Sequence, residues 1–193
     1  MRRRVVVALA LCLAAFTLPR VARADDAPVL KVKATAGDSL SATDTKEINR
    51  TLSAYLEALR KKDYVLAGSF IDRTPLLASS EPTLRSIEPD STKLDAARLR
   101  LFGASTRDSL ERRPTGEIFA AFMRYMDATN PAANGVLQNA TIQVLAARSM
   151  QGTVHVAYQL TLPPSGDRKE PYTQVTAQQM KKIDGKWLIL VTD

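Results

Sequence analysis

The sequence predicts an α+β fold in which N-terminal helices pack in a curved antiparallel β-meander. Apolar residues recur at helical spacing through two long stretches of the first 130 residues, and they alternate with polar residues through the last sixty. In addition, Asp184-Gly185 is a residue pair typical of a tight hairpin between consecutive strands. Helices followed by hairpin-linked strands form two layers, in which the helices cover one face of the sheet.

The first 24 residues have the three parts of a cleavable secretory signal peptide. Arginines follow the first methionine, residues 5–18 are apolar except for one threonine, and residues 22–24, Ala-Arg-Ala, form a small-x-small cleavage site. This apolar run is shorter than the roughly 20 residues that a membrane-spanning helix needs. We therefore expect an exported chain, periplasmic or secreted, that begins near Asp25 and does not span the membrane. A lipoprotein would use Cys12, but Leu11 stands where a small residue is expected.

Removal of this leader changes both the charge and the cysteine content. The 27 basic residues fall to 22 because five arginines leave with the leader, whereas all 20 acidic residues remain. A nearly neutral exported chain is not expected to bind nucleic acid. The single cysteine also lies in the leader, so the mature chain has no disulfide, thiolate nucleophile or cysteine-ligated zinc. With one histidine remaining, we expect no metal and no cofactor.

The mature chain begins with an irregular segment and then becomes helical. Residues 25–43 are rich in small and polar residues and are expected to form a flexible lead-in. Asp44, with a glutamate three residues later, resembles a capping box and predicts a first helix that runs to about residue 62. Asp63 is expected to cap a shorter second helix, which Pro75 would end. The apolar stripe of the first helix consists of Ile48, Leu52, Tyr55, Leu56 and Leu59.

The middle of the chain has the weakest pattern. Three prolines interrupt residues 71–113, and only Lys93 to Phe102 has helical spacing in this stretch. A clearer helix follows Pro114 and ends near Asn130.

The last sixty residues predict four strands. Residues 136–146 and 153–162 alternate apolar and polar side chains about a glycine turn, and a third strand covers residues 172–183. The turn at Asp184-Gly185 joins the third strand to a fourth, residues 186–192. Consecutive strands joined this tightly form an antiparallel meander.

Two stretches of the chain, residues 55–64 (YLEALRKKDY) and residues 180–189 (MKKIDGKWLI), resemble one known superfamily. The first is similar to the opening helices, and the second to the last hairpin, of the nuclear transport factor 2-like superfamily. That superfamily includes ketosteroid isomerases, polyketide cyclases and non-catalytic modules. The resemblance implies a single domain over residues 44–193, with an insertion at residues 71–113. It also implies a cystatin-like cone roll, in which the curved sheet wraps around the first helix and leaves a pocket at its wide end.

The resemblance also implies a catalytic alternative, a lyase or isomerase. In the isomerase branch, a tyrosine at the position of Tyr55 donates to an oxyanion beside a catalytic aspartate. In this chain the position of that aspartate falls near Ser79 and Ser80, with only Glu81 adjacent. His155 would then have to act as the base, because it is the one side chain of the mature chain that ordinarily titrates near neutrality.

The residues expected to line a pocket are Tyr55, His155, Gln159 and Trp187. His155 and Gln159 share one face of their predicted strand, so both are pocket residues if that face lines the cone and surface residues if it faces water. Tyr55 and Trp187 are amphipathic aromatic residues that suit a pocket mouth, although core packing is the commoner fate of such side chains.

Two further patterns in the sequence resemble functional sites. Residues 37–40 spell the GDSL motif of esterases, whose Ser39 would need a histidine in an Asp-x-x-His segment. Gly152 stands three residues before His155 where that aspartate would be, so the esterase is a remote alternative. Five arginines between residues 98 and 113 could recognise an anion, but the acidic residues among them favour a solvated surface.

Taken together, the residues favour an exported, non-catalytic binding or interaction module. Its expected partner is a small apolar molecule or a protein. A homodimer through the sheet is also expected, because Leu188 and Leu190 are apolar opposite Trp187, Ile189 and Val191, and strands that are apolar on both sides are covered on both sides.

Overall fold

The computed structural model describes residues 38–129, 140–164 and 169–191. The predicted signal peptide and most of the predicted lead-in lie outside these ranges, so both stay predictions. Six helices of the described chain are α1 (Ala42–Arg60), α2 (Tyr64–Gly68), α3 (Arg73–Ile87), α4 (Leu94–Phe102), α5 (Arg107–Arg112) and α6 (Thr115–Thr129). The strands are β1 (Asp38–Ser39), β2 (Thr141–Met150), β3 (Thr153–Leu162), β4 (Tyr172–Ile183) and β5 (Lys186–Ile189).

The five strands form one antiparallel sheet in the order β1-β2-β3-β4-β5. The meander follows from the tight turns that the sequence predicts: Gln151-Gly152 joins β2 to β3, and Asp184-Gly185 joins β4 to β5. All four of these turn residues have positive φ values, between 49° and 76°, as a two-residue hairpin loop requires. Helices packed on an antiparallel sheet confirm the predicted α+β fold class.

The core lies between α1 and one face of the sheet. The α1 stripe at Ile48, Leu52, Leu56 and Leu59 is buried, as its spacing predicts. The facing side chains of β3 are also buried, namely Val154, Val156, Tyr158, Leu160 and Leu162. Full burial of each aliphatic side chain contributes about 1.5–3 kcal/mol before the cost of ordering it. This burial therefore fixes which face of the sheet the helices cover.

The first helix begins two residues before the predicted Asp44. Ser41 is the N-cap, and its hydroxyl oxygen accepts from the backbone N–H of Asp44 at 3.0 Å. Asp44 lies in the first turn of α1, where its negative charge favours the helix N-terminus. The prediction placed the cap at the wrong residue, because serine and aspartate both suit an N-cap and both precede the apolar stripe.

The region that the sequence left unassigned is mostly helical. Pro75 does not end α2, which finishes at Gly68; it lies in the first turn of α3, where no helical hydrogen bond needs its missing N–H. Asp72 caps this helix by accepting from the N–H of Thr74 at 2.9 Å. α4 agrees with the predicted Lys93 to Phe102 helix. Whether residues 71–113 are an insertion stays a prediction.

None of the helices in the described part of the chain is long and apolar enough to cross a membrane.

Candidate functional site

The two faces of the sheet differ in what covers them. Buried and half-buried side chains alternate along β3, so Val154, Val156 and Tyr158 face the helices whereas His155 and Gln159 face the other way. We call this second side of β2–β4 the outer face. His155 and Gln159 are therefore not part of the core, because their face of β3 points away from the helices.

Cross-strand pairing arranges the outer face in rows. Ala157 on β3 lies between Ala146 on β2 and Ala177 on β4, so that three small side chains cross the centre of the face. The rows on either side are Arg148–His155–Gln179 and Gln143–Gln159–Val175, followed by Thr141–Thr161–Thr173. No acidic side chain stands in these rows. The outer face is thus uncharged through its centre, with a basic row at one end.

Tyr55 and His155 do not form a catalytic pair. Tyr55 is 2% exposed, and its ring centroid lies 6.2 Å from that of Phe119, so it packs among the helices on the inner side. His155 stands on the outer face, and the sheet separates the two side chains. A base and an oxyanion donor must reach one substrate together. The isomerase that relies on these two residues is therefore wrong, because strand alternation turns His155 away from α1.

The residues at the position where the resemblance places a catalytic aspartate form structural contacts instead. Ser80 is buried in α3, and its hydroxyl donates to the carbonyl of Leu77 at 2.7 Å. Glu81 forms ion pairs with Arg85 at 3.2 Å and with Arg98 at 3.4 Å. The Ser80 and Arg85 contacts lie within α3, whereas the Glu81–Arg98 ion pair joins α3 to α4.

The esterase alternative fails on topology. Ser39 pairs with Arg148 on β2, and Arg148 pairs in turn with His155 on β3. The backbones of Ser39 and His155 are therefore two strand spacings apart, about 10 Å, with β2 between them. The strand order therefore places β2 between the backbones of this serine and this histidine.

Trp187, one of the predicted pocket residues, borders a groove of about 490 Å³ beside β5. The residue is 8% exposed. We call this the β5 groove. Its walls are Glu47, Arg50 and Thr51 from α1, Leu66, Ser69 and Phe70 at and after α2, and residues 185–188.

An ion-pair cluster holds one end of the β5 groove together. The Lys182 ammonium donates to Glu47 at 2.8 Å and to Asp44 at 3.0 Å, and it lies 5.6 Å from the Trp187 ring centroid. The Trp187 Nε1–H is buried and faces the Asp44 carboxylate without a hydrogen bond of normal geometry. The cluster joins α1 to the last hairpin, and its single ammonium is shared between the carboxylates of Glu47 and Asp44.

The same cluster shifts two pKa values. The Ser41 hydroxyl, followed by Lys182, lowers the pKa of Asp44, because both stabilise its carboxylate form. Glu47, followed by Asp44, raises the pKa of Lys182, because both carboxylates stabilise its charged ammonium form.

A second cavity, of about 370 Å³, lies among α3, α4 and α5 and is bordered by Arg98. The Arg98 side chain is 9% exposed, and it donates to Asp95 at 2.6 Å and to the carbonyl of Ser105 at 3.1 Å, besides pairing with Glu81. The predicted arginine surface is thus wrong for Arg98, which is a buried linker between helices. Arg107 is exposed and pairs with Glu111 at 2.8 Å, as expected for a solvated surface.

Sequence reasoning missed most of the β5 groove. Arg50, Leu66 and Lys186 could be assigned only to exposed helix or hairpin positions, because the groove forms where three separate segments meet. No three His, Cys, Asp or Glu side chains in the described ranges lie close enough together to hold a metal ion.

Comparison with solved structures finds two proteins to which this chain is similar. One is an NTF-2-like protein of unknown function from Shewanella oneidensis MR-1, with 14% identity and a TM-score of 0.42 over 76% of this chain and 94% of that chain. The other, from Xanthomonas campestris, is described as a calcium/calmodulin dependent protein kinase II association domain. It has 13% identity and a TM-score of 0.31 over 81% of this chain and 90% of that chain. No family model and no curated protein matches the chain. The likeness concerns the fold alone.

Proposed function

We propose that this chain is an exported, non-catalytic interaction module that forms a homodimer through the outer face of its sheet. The observation that carries the proposal is the in-register alanine row at Ala146, Ala157 and Ala177. Small side chains at the centre of the face let a second sheet approach to the roughly 10 Å of packed sheets. Export rests on the leader sequence, residues 1–24.

The composition of the outer face supports association rather than exposure to water. Interfaces are depleted in charge at their centre, and the rows through Ala157 and Gln159 carry no charge. Val175, in the Gln159 row, is 64% exposed, and Met150, at the end of β2, is 51% exposed. Leu188, which pairs with Lys181, adds a half-buried apolar side chain on the same side of β5. A second copy of the chain would cover these side chains.

A small apolar ligand is the second candidate partner, and the β5 groove is its proposed pocket. Leu66 is 47% exposed in this groove, and the Trp187 ring forms part of its wall. A ligand that covers these apolar surfaces would gain about 25 cal/mol of binding free energy for each Å² of apolar area removed from water.

Sedimentation equilibrium tests the homodimer. The wild-type chain is expected to be dimeric at micromolar concentration, whereas Ala157→Glu places a charge in the centre of the outer face and should give monomer. Ala42→Glu is the matched control: the same substitution at an exposed position in the first turn of α1 should leave the dimer intact, because acidic residues are favoured there. Circular dichroism checks that both variants fold. A monomeric wild type would reject the proposed dimer.

Export has its own test. The chain, expressed with its leader in a bacterial host, should be recovered outside the cytoplasm with Asp25 as its first residue, as shown by mass spectrometry. Retention of residues 1–24 on protein in the cytoplasm would contradict the export proposal.

A further inference from the structure

β5 lies at one edge of the described sheet, and its hydrogen-bonding pattern leaves the backbone of one residue unpaired. The backbone N–H of Leu190 donates to the carbonyl of Gln179 at 2.9 Å, which sets the register with β4. In an antiparallel pair the residues that bond to the partner alternate with residues whose N–H and C=O point away. Leu188 and Leu190 therefore bond to β4, whereas Trp187 and Ile189 present their backbone groups to the outer edge.

The outer edge is only half covered. The N–H of Ile189 donates to the carbonyl of Phe70 at 2.8 Å, and its carbonyl accepts from the N–H of Asp72 at 2.8 Å, in a short parallel bridge centred on Ile71. Trp187 lies two residues earlier, and among the described residues it has no backbone partner on this side. The chain before Phe70 turns into α2 and leaves the edge at this point. The β5 groove is the space that results.

The groove combines three features that recognise an extended peptide. An unpaired backbone N–H and C=O at a strand edge are a template for one more strand. Leu66 and Phe70 supply an apolar wall, to which one side chain of such a strand would point. Arg50 and Lys186 also line the groove and are exposed, and neither forms an ion pair with a described residue. Glu47 is the acidic residue of the lining, and it shares the Lys182 ammonium with Asp44, so Arg50 and Lys186 outnumber the acidic lining charge by two to one.

From these features we infer that the β5 groove binds an extended, acidic segment of a partner polypeptide by strand addition at Trp187. One residue of the segment would exchange two backbone hydrogen bonds with Trp187. The segment would thereby continue the edge pairing that Phe70–Asp72 forms with Ile189. An apolar side chain of the segment would pack on Leu66, and a neighbouring carboxylate would pair with Arg50 or Lys186. The groove thus carries a net positive charge that selects an acidic partner. Leu188 borders both this groove and the surface proposed for the homodimer, but the strand-edge contacts are made at Trp187 and do not depend on the homodimer.

The test uses a hexapeptide of alternating valine and glutamate, blocked at both ends. Trp187 is the sole tryptophan of the chain and lines the groove, so its fluorescence reports occupancy directly. We expect saturable binding by the glutamate peptide and at least tenfold weaker binding by the same peptide with lysine in place of glutamate. A glutamate peptide with N-methyl groups on alternate amides should also bind at least tenfold more weakly, because it cannot donate to the strand edge.

Two measurements on the protein complete the experiment. The double variant Arg50→Glu, Lys186→Glu changes exposed side chains only and should weaken the glutamate peptide at least tenfold while strengthening the lysine peptide. Hydrogen exchange should slow at the Trp187 amide when the peptide binds, whereas the Leu188 amide, already bonded to β4, should change little. Equal binding of the acidic and basic peptides, no binding at millimolar concentration, or an unchanged Trp187 amide would each overturn the inference.

Discussion

A substitution at the crossing of α2 and α6 gives the sharpest test of how these two helices pack. Gly116 is buried in the first turn of α6, and a Cβ added there would lie 2.5 Å from the carbonyl oxygen of Val65. Ordinary contacts between non-bonded atoms are about 3.5–4.0 Å, so Gly116→Ala requires α2 and α6 to separate by roughly 1 Å. The opposing atom belongs to the backbone, so no side-chain rotation relieves the clash.

The expected cost follows from two opposing terms. Overpacking of a filled interior costs about 1–3 kcal/mol, whereas alanine in place of glycine in a helix gains at most about 1 kcal/mol. We therefore expect Gly116→Ala to lower the free energy of unfolding by about 1–2 kcal/mol. For a chain of this size that corresponds to a fall in Tm of roughly 2–8 °C.

Urea unfolding followed by circular dichroism measures this change, with an unchanged denaturant slope as evidence that only the native state is affected. As a control, the same Gly116→Ala substitution is made in a Val65→Ala variant. Its truncation removes a methyl group that lies 3.2 Å from the added Cβ but leaves the carbonyl oxygen in place, so it should not rescue Gly116→Ala. If Gly116→Ala proves as stable as wild type, the close approach of α2 and α6 is wrong.

Three further predictions concern the core, the ion-pair cluster and the buried arginine. Leu52→Ala, at a position 1% exposed, should lower the free energy of unfolding by about 2–5 kcal/mol in urea titrations; a loss below 1 kcal/mol would contradict its burial. Arg98→Met should cost about 1–3 kcal/mol in the same assay, because three acceptors lose a charged donor; an unchanged midpoint would contradict the linker role. Because the pKa of Asp44 is lowered on folding, its stabilisation is present above its ordinary value of 3.8 and is lost as the pH falls through the lowered pKa. Lys182→Met should therefore lower Tm more at pH 7 than at pH 2, and an equal loss at both pH values would contradict this cluster.

The sequence was most informative where one face of an element is buried. The α1 stripe and the β3 alternation both predicted the observed faces, because burial imposes the period of the element on its apolar residues. Residues 71–113 were predicted poorly for a physical reason. Prolines there suggested breaks, yet Pro75 occupies the first turn of α3, and Pro82 lies inside this helix. A proline restricts its own backbone without revealing whether a helix begins or ends at that residue.

At the candidate site, the sequence pattern does not predict which sheet face and which strand edge remain accessible. Alternation places His155 and Gln159 together, but only the packing of the helices decides which face of β3 becomes the outer face. Trp187 was predicted as a pocket residue from its chemistry. The unpaired backbone at the same residue depends on the register with β4 and on the bridge at Ile71, which are set by contacts between distant segments.

The two proposed surfaces have a joint consequence. The alanine row of the outer face crosses β2, β3 and β4, whereas the β5 groove opens beyond the far edge of β5. A homodimer built on that row would therefore carry two grooves at a fixed separation. A partner with two acidic segments on a linker that spans them would gain affinity, typically 10²–10⁴-fold, without any new contact. A single segment would gain nothing from the dimer, because it occupies one groove. The ratio of the affinity of the two-segment partner to that of the single segment therefore measures whether dimer formation and peptide binding are coupled. Neither surface alone gives this information.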